Sequence, residues 1–299
     1  MHNLKTKSYV QSPNHKIFSI VMEREISFLS VKKEWDVIQR MSLSELVSLN
    51  GRSKLGCSII DYYFFQHRLR TKGNKGINFY EFLDQIEYYK TKPYIQTLLA
   101  YCEKKNRYKD SEVKRYYYIY GLTFGRVNAF KITNALSIYR RYKPTKILDP
   151  FCGFGGRMAA ALMAGIPYVG IDINVDLKPE YERLLADFPG DACVRFQDCN
   201  TFDYGEIEYD MVFTSPPYEN IEVYPNNPVR TLAEWDTFYR EIFKKLWDRL
   251  PVGGIFAINI HKKIYAILVK MFGECNEKIL LTKSSRNNYV EYIYVWTKS

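Results

Sequence analysis

The chain has 299 residues, 46% of them hydrophobic and 16% aromatic, with a formal net charge of +10. That length fits one large domain or two ordinary ones, and the apolar content suffices for a packed core. No apolar run is long enough to cross a bilayer and the first residues are polar, unlike a signal peptide, so the expectation is an intracellular, cytoplasmic protein, neither secreted nor in a membrane.

The charge is uneven. Residues 1–130 carry 22 Lys/Arg against 12 Asp/Glu, whereas residues 131–299 carry 21 of each. A basic N-terminal half suits contact with a polyanion; it also suits a solvated surface kept for solubility. Cys57, Cys102, Cys152, Cys193, Cys199 and Cys275 form no C-x-x-C pair and have no histidine at zinc spacing. They are expected to be reduced thiols, with no metal site.

Along the chain, Ser12-Pro13-Asn14 marks a polar start. Apolar residues then recur at helical spacing from Ile17 through Ile20, Val21, Phe28, Leu29, Trp35, Ile38 and Met41 to Leu49. Ser42 and Glu45 form a capping-box pattern within that run. Asp61 to Gly76 leads from aromatics into Arg68, Arg70, Lys72 and Lys75, then two glycines. The four cations are candidate nucleic-acid contacts; an ordinary helix and solvated turn is the other reading. His67 alone is read as an unremarkable polar histidine. Tyr116 to Tyr120 fits a strand or a buried helix face, and a run so short does not decide. The segment Phe124–Phe130 is predicted to open a helix reaching about Tyr142.

From Thr145 strands and helices alternate. Predicted strands are Lys146–Leu148, Tyr168–Ile173, Ala192–Gln197, Asp210–Phe213 and Ile255–Ile260; predicted helices are Gly156–Ala164, Val175–Asp187 and Leu232–Leu250, the last capped by Thr231 and Glu234. Lys278–Lys283 and Tyr289–Thr297 flank a polar Ser284–Asn288 turn, a hairpin pattern. The alternation argues a doubly wound, mostly parallel sheet.

Two stretches carry the chemistry. In Ile147-Leu148-Asp149-Pro150-Phe151-Cys152-Gly153-Phe154-Gly155-Gly156, glycines between a strand and a helix let a ligand lie on bare backbone. Alone, such a loop also fits dinucleotide enzymes and tight turns. Asp172 and Asp198 end the next two strands, and an acid ending the second strand suits a ribose diol. About 65 residues after the glycine loop's strand comes Thr214-Ser215-Pro216-Pro217-Tyr218. Two prolines take the chain out of the sheet stiffly, leaving a hydroxyl, a carbonyl and an aromatic ring at a strand end.

Together these motifs resemble the S-adenosylmethionine-dependent amino-methyltransferases of DNA, which pair a D-P-F-x-G-x-G cofactor motif with a (D/N/S)-P-P-(Y/F) catalytic motif. The resemblance covers roughly the last 180 residues. It implies a seven-stranded methyltransferase sheet (Rossmann-like) with an antiparallel last strand over 121–299, preceded by a basic, mainly helical region over 1–120. It implies S-adenosyl-L-methionine as cofactor, with Asp149 meeting its ammonium group and Phe151, Gly153 and Gly155 holding its methionine end. Asp172 then takes the ribose and Asp198 the adenine amino group. Ser215 and the Pro216 carbonyl would accept from an exocyclic amine of a flipped base, Pro217 stiffens the loop, and Tyr218 stacks on the base. Serine first in the motif leans towards cytosine N4 over adenine N6. The expected partner is DNA, with RNA, or a silent binding module of the same fold, as alternatives. Glu219, Asn220, Tyr224, Asn226 and Asn227 are candidates to line the base pocket or a mobile loop, and equally fit a solvent-facing loop. The short spacing between the motifs leaves no room there for a target-recognition domain.

Overall fold

Short apolar runs and glycine turns alternate with amphipathic helices from Ile147 onward, and the computed structural model pairs those runs into one sheet. The structure describes residues 26–299 apart from 52, 74, 220–229 and 284–289. Ser12-Pro13-Asn14, the Ile17–Val21 helical spacing, the candidates Asn220, Tyr224, Asn226 and Asn227, and the Ser284–Asn288 turn lie outside the described residues.

The strands are β1 (Ile147–Asp149), β2 (Tyr168–Asp172), β3 (Ala192–Phe196), β4 (Met211–Thr214), β5 (Ile255–Ile260), β6 (Glu277–Lys283) and β7 (Val290–Thr297). Their order is β3-β2-β1-β4-β5-β7-β6. The first five are parallel, and β7 runs antiparallel to both its neighbours. This is the mixed seven-stranded, Rossmann-like sheet expected from the sequence. The order reverses between β1 and β4, so their carboxyl ends flank the crevice where open α/β sheets bind ligands. Asp149 pairs with Gly170, and Thr214 with Ile258, which brings the ends of four strands to one rim.

Contacts divide the chain into two compact units, and the division is not the single cut at residue 120. One unit holds Leu69–Val127; the other joins Ile26–Arg68 to Asn128–Ser299. The early helices α1 (Phe28–Arg40), α2 (Leu43–Ser48) and α3 (Cys57–Arg70) explain this. Val31, Trp35 and Ile38 on α1 are buried at helical spacing, and Trp35 stacks on Phe188 at 3.7 Å. The capping box of Ser42 and Glu45 opens α2 as the sequence predicts. Phe64 on α3 meets Tyr181 edge-on at 5.1 Å.

In the Leu69–Val127 unit, α4 (Phe79–Asp84), α5 (Ile86–Lys90), α6 (Pro93–Lys104) and α7 (Glu112–Thr123) close on an aromatic core. Phe79 lies 5.4 Å from Tyr120, and Phe82 lies 5.4 Å from Phe124. The tyrosine run thus becomes helix α7, with Tyr116 and Tyr120 inward.

The sheet unit continues with α8 (Ile132–Tyr142), α9 (Gly156–Ala164), α10 (Lys178–Asp187), α11 (Leu232–Arg249) and α12 (Lys262–Phe272). The helix expected from Phe124 begins only at Ile132, after Gly125 at φ 81° has broken the preceding helical path. Thr231 and Glu234 cap α11 reciprocally. Helix α12 has no counterpart in the predicted elements. No helix among the described residues is long and apolar enough to cross a membrane.

Candidate active site

The glycine loop turns on two residues with left-handed backbone, Gly153 at φ 57° and Gly155 at φ 72°. Gly155 is the N-cap of α9, and a Cβ there would meet the Phe64 ring at 2.7 Å. A Cβ on Gly156 would stand 2.0 Å from the Phe130 carbonyl oxygen. These two glycines are therefore required for close packing. Gly153 differs: a Cβ there would meet nothing nearer than 4.0 Å, so its bare backbone faces open space. Tyr181 donates its hydroxyl to the Gly153 carbonyl at 2.8 Å and holds the loop from below.

Asp149 is fully buried and both its carboxylate oxygens are engaged. Arg157 Nε donates to Oδ2 at 2.6 Å, Tyr168 donates to Oδ2 at 2.7 Å, and Thr214 Oγ1 donates to Oδ1 at 2.6 Å. Arg157 also holds the Phe151 carbonyl at 2.5 Å. An acid so enclosed is not presented to a ligand's ammonium group, the contact expected from the sequence. It instead ties β1, β2, β4 and α9 together beneath the loop. Phe151 is half-buried, with its ring 6.0 Å from Phe238.

Asp172 lies at the rim, half-buried. It accepts from Gly153 N at 2.8 Å on one oxygen and from Asn174 N at 2.9 Å on the other. Burial pushes its carboxyl up to about 6, against the pull of those two N–H donors. Each oxygen keeps a lone pair, so the pair suits a diol. Asp198 follows β3, half-buried, and accepts from Asn200 N at 2.9 Å. An open cavity of about 320 Å³ is lined by Asn200, Arg230, Thr237 and Phe238 among others.

Beyond β4, Ser215, Pro217 and Tyr218 are half-buried and Pro216 is buried. Tyr239 clamps this loop, donating to the Pro217 carbonyl at 2.7 Å and accepting from Glu219 N at 3.0 Å. The decisive neighbour is Asn259, 2% exposed near the end of β5. Its Nδ2 donates to the Tyr292 carbonyl at 3.0 Å, and its amide also bonds the Glu291 carboxyl. Its Oδ1 therefore faces the loop, where Ser215 Oγ lies 3.3 Å away and the Tyr218 hydroxyl 3.2 Å away, the two hydroxyls being 3.3 Å apart. Tyr218 donates to the Asn259 carbonyl at 3.0 Å, and its ring lies 5.5 Å from that of His261. Burial holds the His261 imidazole below its usual range, and its Nδ1 accepts from Lys263 N at 3.2 Å. No group of three or more potential metal ligands gathers among the described residues.

The structure thus assembles Phe151, Gly153, Gly155 and Asp172 around the loop and Ser215 to Tyr218 across the crevice. Sequence reading missed Asn259, Tyr239, Arg157 and Tyr168. Thr214, beside the proline motif, carried a usable signal, whereas Asn259 carried none. The four proposed phosphate contacts divide. Arg68 pairs with buried Asp61 and donates to Asn128 Oδ1 at 3.3 Å, so it is engaged in packing. Lys72 pairs with Glu81 at 2.6 Å, while Arg70 and Lys75 are exposed. His67 pairs with Glu180 at 3.2 Å.

No protein-family model and no curated protein matches the chain. Among solved structures it is similar to TrmN from Thermus thermophilus, at 17% identity and TM-score 0.43 over 57% of this chain, spanning only half of that chain. It is similar to an rRNA methylase from Streptococcus thermophilus at 15% identity and TM-score 0.41, over 57% of this chain and 98% of that one. It is also similar to a 16S rRNA methyltransferase of T. thermophilus solved with AdoMet and guanosine, at 19% identity and TM-score 0.41, over 59% of this chain and 45% of that one. Likenesses this distant say nothing of substrate.

Proposed function

We propose that the chain is an S-adenosylmethionine-dependent methyltransferase acting on an exocyclic amino group of a base in DNA, cytosine N4 before adenine N6. The observation that carries this reading is the Asn259–Ser215 contact. A serine hydroxyl both donates and accepts. Asn259 Oδ1 is one acceptor for the Ser215 proton and the Tyr218 hydroxyl, 3.3 Å from Ser215 Oγ, is another; with its proton given to either, the Ser215 hydroxyl offers lone pairs to the crevice. An amine has protons to give and needs such acceptors.

The residues at the rim fit the cofactor: open backbone at Gly153 and lone pairs on Asp172. Gly153 and the loop would hold the methionine end, Asp172 the ribose, and Asp198 the adenine. Bound there, the cofactor supplies an electrophilic methyl group on a sulfonium. Ser215 Oγ and the Pro216 carbonyl would each accept one N–H of the base amine. That draws the nitrogen out of conjugation and directs its lone pair across the crevice. Tyr218 would stack against the extruded base, whose removal from a duplex costs a few kcal/mol. Orientation does most of the catalytic work. The surplus proton on nitrogen leaves to water. Asp149 orders both sides at once, since its carboxylate joins the loop, through Arg157, to Thr214 beside Ser215.

The test supplies labelled cofactor with unmethylated genomic DNA or with total RNA, and separates the product nucleosides by mass spectrometry. N4-methylcytosine from DNA is the expected product. N6-methyladenine would overturn the cytosine preference; label in RNA alone would overturn DNA. Cofactor binding with no labelled nucleoside would point to the silent binding module.

A further inference from the structure

The Leu69–Val127 unit displays aromatic surface that its own core does not use. Tyr88, Tyr94, Tyr101 and Tyr108 are 55%, 48%, 40% and 43% exposed. Isolated exposed rings need no explanation, but these gather. Tyr94 and Tyr101 stand seven residues apart on α6, two helical turns along one face. Arg107 follows that helix with its guanidinium 5.8 Å from the Tyr101 ring and 5.2 Å from the Tyr118 ring. Tyr118 in turn lies 5.7 Å from Tyr108. Tyr101, Tyr118 and Tyr108 thus form a row of rings with the Arg107 cation set among them, and Tyr94 stands two turns away on the same helix face.

The connection between α6 and α7 adds charge. Lys104, Lys105, Arg107 and Lys109 are all exposed, against Glu103 and Asp110. Asn106 and Tyr108 hold left-handed backbone, at φ 49° and 53°, which keeps the Tyr108 ring at the surface. A left-handed tyrosine is an outlier, and such residues concentrate at binding sites. At the start of α6, Lys92 lies 4.0 Å over the Tyr88 ring.

A protein partner would favour an apolar patch with few charges at its centre. This face alternates rings with Lys and Arg instead, which is the chemistry of an unpaired strand: phosphates meet cations and bases stack on rings. Duplex offers no free base faces. We propose that the α6–α7 face is a binding surface for single-stranded nucleic acid, with Tyr101, Tyr108 and Tyr94 as stacking rings and Arg107, Lys105 and Lys109 as phosphate contacts. It goes beyond the proposed function by naming a nucleic-acid contact on the Leu69–Val127 unit itself, and rests on that reading only for its purpose.

The test measures binding without methyl transfer, so its failure is separable from failure of the enzymatic reading. Fluorescein-labelled oligo(dT) and oligo(U) of about 20 nucleotides, and a duplex of equal length, are titrated with the full chain and followed by anisotropy. Single strands should bind at least about tenfold tighter than duplex, with affinity falling as salt rises. Preference for oligo(U) or oligo(dT) tells RNA from DNA, and either supports the surface. Y101A/Y108A should weaken single-strand binding about tenfold or more, whereas Y101F/Y108F should keep it, because stacking needs the ring and not the hydroxyl. Cofactor affinity and circular dichroism of both variants should match the parent, since these rings lie outside the core. Equal or better duplex binding, no binding, or an unaffected alanine variant would overturn the proposal.

Discussion

Replacing Arg157 by methionine tests the buried cluster most directly. Arg157 is 3% exposed and Asp149 is fully buried, and their closest approach is 2.6 Å. Removing one member of a buried ion pair costs about 3–5 kcal/mol, because the other charge is left without its counter-ion. Here Tyr168 and Thr214 still donate to the Asp149 carboxylate at 2.7 and 2.6 Å, which places the cost near the lower end, about 3 kcal/mol. For a unit of this size about 1 kcal/mol moves Tm by about 2–4 °C, so the fall should be about 6–12 °C. Scanning calorimetry of the parent, R157M, D149N and the double variant closes a double-mutant cycle. The double variant should be less destabilised than the two single losses added together, since neither buried charge then lacks its partner. Cofactor affinity should also fall in R157M, because Arg157 holds the Phe151 carbonyl. A loss in R157M below about 1 kcal/mol, or strict additivity in the cycle, would refute the account of the cluster.

Asn259→Leu keeps the volume but removes an acceptor for the Ser215 proton, and losing that one neutral hydrogen bond, at about 1 kcal/mol, should lower kcat about fivefold with cofactor affinity nearly unchanged; steady-state kinetics and calorimetric titration separate the two. Burial raises the Asp172 carboxyl to about 6, above its unfolded value near 3.9. The stability it contributes is thus full below about pH 4 and lost as pH rises through about 6, so Asp172→Asn should show a flatter profile in melts between about pH 4 and pH 7. Cofactor affinity should run the other way, weakening as pH falls through about 6 if the ionised carboxylate binds the ribose; a flat titration series from pH 5 to 8 would remove Asp172 from that role. Gly156→Ala drives a Cβ to 2.0 Å from the Phe130 carbonyl, and chemical denaturation should register a loss of about 1–3 kcal/mol.

The sheet was legible in the sequence because its strands are short apolar runs closed by Gly, Pro and Asp, signals that act locally. Glycine roles in the Asp149–Gly156 loop were legible for the same reason: left-handed backbone at Gly153 and Gly155 leaves a residue-level trace. Asn259 was not, since its meaning comes from Tyr292 on a strand that only the folded sheet brings alongside. The role expected of Asp149 depended on its being open to a ligand, and exposure is set by Arg157, Tyr168 and Thr214 from three other elements. Likewise Arg68 read as a surface cation until α3 placed it against buried Asp61. Helix α12 escaped because Lys262 and Lys263 open it without an N-cap side chain of the usual type; His261 serves instead.

The last strand has a consequence for how the protein is made. Strands β1 to β5 leave the ribosome first and pair among themselves without help from β6 or β7. The amide that orients Ser215, however, is anchored by the backbone of Tyr292 on β7, which must slot between β5 and β6. A nascent chain stalled before Tyr292 would carry a formed cofactor loop but a Ser215 hydroxyl free to turn either way. On the proposed reading, competence for chemistry would therefore arrive late in translation, with the strand that runs against all the others.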